Sequence, residues 1–149
     1  MAFNTEFAEQ LLINPTLAIK TGGSALVKSS NAFTCVVGGK IIAKAAGDMP
    51  ALTGTIPTAY TSAYSFFIDT AGTITVVKGN NVLTTDGLTT SDLFPQDSTT
   101  GLSSKPDGKL CIGMIVVVNA IGSTFTGGTT ALDTASLTVY YSNMNVTGF

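Results

Sequence analysis

The chain has 149 residues, 44% hydrophobic and only 11% charged, with a formal charge of −2 at pH 7, no His, no Trp, and Lys as its one basic residue type. A chain of this length makes one domain that buries roughly 68–70% of its unfolded surface, so it needs neither disulfides nor a metal to hold together. Without imidazole there is no Ser–His–Asp or Cys–His chemistry and no His-ligated zinc; without guanidinium there is no bidentate phosphate clamp; the negative charge argues against a nucleic-acid partner.

At the N-terminus, Asn4 or Thr5 can cap a short helix running to about Leu12, with Glu6 and Glu9 near its positive end. Phe3, Phe7 and Leu11 recur at i, i+4, i+8 and give that helix an apolar stripe. Asn14–Pro15 ends it. A helix of two turns is marginal alone and has to dock. The acidic start lacks the basic region of a signal peptide, and no apolar run approaches the 18 residues of a membrane span. These features predict synthesis in the cytoplasm and no membrane partner.

From Leu17 onward the period is that of strands. Residues 30–37 and 40–44 flank Gly38–Gly39, a pair that reaches the positive φ values of a primed two-residue turn, and so predict a β-hairpin. Pro50 and Pro57 keep the Thr- and Gly-rich connector over 47–61 out of a central strand. A second hairpin is predicted from 63–68 and 73–77 around the turn Asp69-Thr70-Ala71-Gly72. Residues 79–109 are the least regular, and the five Asp residues from Asp69 to Asp107 read as turn formers because their spacing does not match a calcium loop. The continuous apolar run 110–119 predicts a strand buried on both faces. Residues 120–128 form a loop whose likeness to a phosphate-binding loop is superficial, since no Gly-Lys-Ser/Thr follows; 135–141 alternate as a last strand.

Cys35 and Cys111 sit in apolar runs and read as free thiols that pack as small hydrophobes. The sum is an all-β fold, an antiparallel β-sandwich or barrel of seven or eight strands with a short N-terminal helix. An arm over residues 1–20 is expected to precede a single β-domain over 21–149. No cofactor or metal site is predicted, and no enzyme: a Ser or Thr nucleophile would need a Lys base, and no Ser-x-x-Lys stands at a helix start.

The charge content carries the functional reading. A soluble monomer usually carries about 25–35% charged residues on its surface. Here the polar exterior must be Ser, Thr, Asn and Gly, which lose less on dehydration than charges do. Such a surface suits a subunit built into an assembly.

Three stretches carry a resemblance: 27–34 running through Gly38-Gly39-Lys40 to 43–46, then 64–75, then 112–119 leading to 122–133. Together they resemble small virion structural proteins of tailed bacteriophages, of the head decoration (cement) or head-fibre type. The resemblance implies a protein on the virion, with the head surface the expected place. It also implies that the chain binds the outside of the major capsid protein lattice and copies of itself, with trimers common among such proteins. On that reading the arm is the tether and Phe3, Phe7, Leu11 and Leu12 are its partner-binding anchors; alternatively the helix plugs the end of its own sandwich. The competing reading is a tail-fibre or head-fibre receptor-binding module. Sugar sites favour exposed aromatics and carboxylates in a cleft; the chain has no Trp, and only Tyr60 of its four Tyr falls in an expected loop.

Overall fold

Strand periodicity governs the chain: its computed structural model describes residues 9–85 and 108–143 and contains thirteen strands and no helix among them. The first seven are β1 (Glu9–Ile13), β2 (Leu17–Ile19), β3 (Val27–Ser29), β4 (Phe33–Val37), β5 (Lys40–Lys44), β6 (Gly47–Asp48) and β7 (Thr55–Ile56). The others are β8 (Tyr60–Asp69), β9 (Ile74–Lys78), β10 (Val82–Leu83), β11 (Lys109–Asn119), β12 (Phe125–Thr126) and β13 (Leu137–Asn143). They form four antiparallel sheets: β1–β4–β5, β2–β3–β6, β12–β7, and a large sheet in which β8 lies between β11 and the pair β9 and β10, with β13 beyond β11.

Both expected hairpins are present. Gly38 and Gly39 take φ values of 56° and 75°, which a Cβ would oppose, and the turn sets Val37 against Lys40 and Cys35 against Ile42. In the second hairpin Asp69 Oδ1 accepts from the backbone amides of Ala71 and Thr73, both at 2.9 Å, so one carboxylate organises the turn between β8 and β9. The inner face of the large sheet presents Tyr64, Phe66, Ile68, Ile112, Ile115 and Val117 to a single core. Phe33, Cys35 and Val37 of β4, Leu17 of β2, Val27 of β3 and Ile56 and Phe125 of the smallest sheet complete it from the opposite side, which gives a sandwich-like arrangement.

Three expectations are corrected by this fold. The helix expected to run to Leu12 is a strand over residues 9–12, with Glu9 opposite Val37 and Leu11 opposite Cys35; pairing with β4 satisfies backbone groups that a two-turn helix would have left open at its ends. The remainder of that expected helix lies outside the described residues. Nor does residue 20 separate an arm from a domain, because β1 and β2 are paired strands of the β4 and β3 sheets. Finally, β11 is fully buried only on its inner face; Cys111, Met114, Val116 and Val118 on the other are half-buried. The strand buried on both faces is β8. Its outward Thr61, Ala63 and Ser65 are short and lie in register between the longer Val118, Val116 and Met114 of β11 and the flanking Val77 of β9.

Candidate docking surface

Among the described residues several polar side chains that could carry chemistry are held in structural bonds. The Ser29 hydroxyl donates to the Gly47 carbonyl at 3.2 Å and accepts from the Gly47 amide at 3.0 Å. Asp48 pairs with Lys20 at 2.6 Å, and Asp133 Oδ2 accepts from the Gly23 amide at 2.8 Å. Lys78 Nζ donates to Asn81 Oδ1 at 2.6 Å and to the Gly79 carbonyl at 3.1 Å, and burial lowers its pKa. No three His, Cys, Asp or Glu side chains gather to hold a metal ion among the described residues. Neither Cys35 nor Cys111 forms a disulfide; Cys35 is buried, which pushes its thiol pKa up, while Cys111 is only partly buried. Burial likewise raises the pKa of Tyr64, whose hydroxyl donates to the Thr53 carbonyl at 3.1 Å.

An open recess of about 560 Å³ lies between β5, β6 and the β8–β9 turn, with Phe33, Met49 and Ile74 in its wall and Lys44 and Asp48 among its polar residues. Its one acid is already committed to Lys20, so it offers a shallow hollow with a single amine and no converging pair of catalytic groups.

The outer face of the β1–β4–β5 sheet is chemically more distinctive. The two-residue turn fixes the register, so that turning Ile42 inward beside Cys35 forces Ile41 outward beside Val36. A β-bulge between Leu11 and Ile13 then brings Ile13, rather than Leu12, opposite Thr34 on that same outer face. Ile41 is 70% exposed and Ile13 51% exposed. Gln10, Ala43, Val36 and Thr34 share the face by register, and none of these residues is charged. This three-stranded sheet thus presents two large aliphatic side chains to the outside, with Lys40 and Lys44 at the ends of β5.

The residues read from the sequence as anchors are distributed differently. Leu11 is 3% exposed and belongs to this chain's own core, and Leu12 is half-buried at the bulge. Phe3 and Phe7 lie outside the described residues. Tyr60 is the first residue of β8, half-buried against the core, and not in a loop. Ile13 and Ile41 escaped sequence reading although the signal for Ile41 was present: two adjacent isoleucines in a strand cannot both face the core. The bulge that exposes Ile13 has no comparable signature.

No helix among the described residues is long and apolar enough to cross a membrane. Comparison with protein-family models, with curated proteins and with solved structures finds no match to this chain.

Proposed function

We propose that the chain is a structural protein of a tailed-bacteriophage virion, a capsid decoration protein that binds the outside of the major capsid protein lattice and stabilises the head without catalysis. The observation that carries this reading is the uncharged outer face of β1–β4–β5, with Ile41 and Ile13 exposed on a chain of which only 11% is charged. Burying such a face gains about 25 cal/mol per Å² and dehydrates no charge. Repeated over a symmetric shell, contacts that are weak singly become strong together, because each bound copy raises the effective concentration of the next contact. The sandwich-like core keeps the platform rigid, so little ordering entropy opposes docking.

The test is a reconstruction of the particle of the phage that encodes the chain. Density for this β fold at regular positions on the outer head lattice supports the reading. Density at the tail tip would replace it with a receptor-binding module, and absence from the particle would end it.

A further inference from the structure

We propose that the outer edge of β13 is a self-pairing seam, through which two copies of this chain join their β13 strands antiparallel about a two-fold axis at Tyr140. β13 closes one side of the large sheet and pairs with β11 along its whole length, Leu137 opposite Asn119 through Asn143 opposite Gly113. Among the described residues, no backbone group outside β11 bonds to residues 138–142. That leaves a row of edge amides and carbonyls ready to template another strand.

Other edges of the fold carry the devices that prevent such pairing. β1 is interrupted by its bulge. β5 has a Lys at each end, and antiparallel pairing with its own copy about Ile42 would set Lys40 against Lys44 of the partner subunit. β9 ends in Lys78. β13 has none of these: its sequence LTVYYSN contains no charge, no Pro and no Gly.

The strand is also complementary to itself. Centring the pair on Tyr140 sets Tyr140 against the partner's Tyr140, Thr138 against the partner's Ser142, and Val139 against the partner's Tyr141. Aromatic–aromatic, hydroxyl–hydroxyl and β-branched–aromatic neighbours are the cross-strand pairs that stabilise antiparallel sheets. Tyr140 is 60% exposed and Thr138 and Ser142 are exposed as well, so their face leaves room for approach. Pairing would fuse the two large sheets into one and cover Tyr140. The inference deepens the reading that the chain binds copies of itself, but it is decided in solution, without any particle.

The experiment is sedimentation of the full chain over a micromolar concentration series, beside Tyr140→Lys and Thr138→Lys variants whose circular dichroism matches wild type. The wild type is expected to dimerise, and each Lys to raise the dimer dissociation constant by about tenfold or more, since Tyr140→Lys sets like charges face to face. A register test uses Tyr140→Cys in a Cys111→Ser background. Directly opposed strand residues have Cα atoms about 4.5–5.5 Å apart, within disulfide range, so mild oxidation should give a covalent dimer, whereas Ser142→Cys should not cross-link with its own copy. A wild-type monomer throughout the series, an oligomer untouched by Tyr140→Lys, or equal cross-linking through Ser142→Cys would overturn the proposal. Loss of the dimer in Tyr140→Lys with particle binding retained would confirm the seam while leaving the capsid reading intact.

Discussion

Asn119 Nδ2 donates to the Ile56 carbonyl at 2.8 Å, joining the end of β11 to β7 across 63 positions of sequence. The same fully buried amide donates to the Ser123 carbonyl at 3.0 Å and accepts from the Ile121 amide at 3.1 Å, so one side chain bonds three backbone groups, one in β7 and two in the loop that follows β11. Asn119→Ala should orphan the Ile56 carbonyl and the Ile121 amide, while the Ser123 carbonyl keeps the Thr58 hydroxyl at 3.1 Å. Each unsatisfied buried group costs about 1–3 kcal/mol, so the variant is expected to lose at least that much stability in urea unfolding. Asn119→Asp should be no better, because a carboxylate cannot donate to two carbonyls. Wild-type stability in the alanine variant would contradict this role.

Gly127 is where two segments meet backbone to backbone. A Cβ built on it would stand 2.8 Å from Leu52 C and O and Thr53 N, and its amide donates to the Gly54 carbonyl at 2.9 Å. Because no flexible side chain is there to give way, Gly127→Ala should destabilise by about 1–3 kcal/mol, the usual cost of overpacking. Gly39→Ala, with open space around its Cβ, isolates the separate cost of a positive φ. A Gly127→Ala protein as stable as wild type in thermal unfolding would show that the segments can part freely.

Acid should act through Asp69. Its pKa is lowered first by the Thr73 backbone amide and further by the Ala71 amide and the Lys109 charge. A carboxylate whose folded pKa lies below its unfolded value of about 3.9 contributes stability that is fully present above that value and is lost as pH falls through the folded one. Asp69→Ala is therefore expected to be less stable than wild type at pH 7, with the gap narrowing below about pH 4. A gap of constant size down to pH 2 would contradict the assignment.

Much of the fold could be read locally, and the failures have one physical source. The Gly38–Gly39 and Asp69–Gly72 turns carry their conformation in their own residues, so both hairpins were legible. Residues 9–13 were not, because the Phe3, Phe7, Leu11 spacing suits a helix while the partner that makes 9–13 a strand lies more than twenty residues away in β4. The two-residue strands β6, β7, β10 and β12 are too short to show any period. The exposed platform followed the same division: Ile41 faces outward because of a turn readable beside it, and Ile13 because of a bulge set by pairing.

The most direct measurement is the binding of purified chain to phage heads assembled without it, wild type beside Ile41→Lys and Ile13→Lys. Both side chains are more than half exposed, so the substitutions should leave the fold unchanged. Wild type is expected to bind saturably at a copy number set by the lattice and to raise the temperature at which heads rupture, and each lysine to weaken binding on the order of tenfold by placing a charge in the contact. Wild type that stays in the supernatant, or lysine variants that bind as well as wild type, would contradict the account.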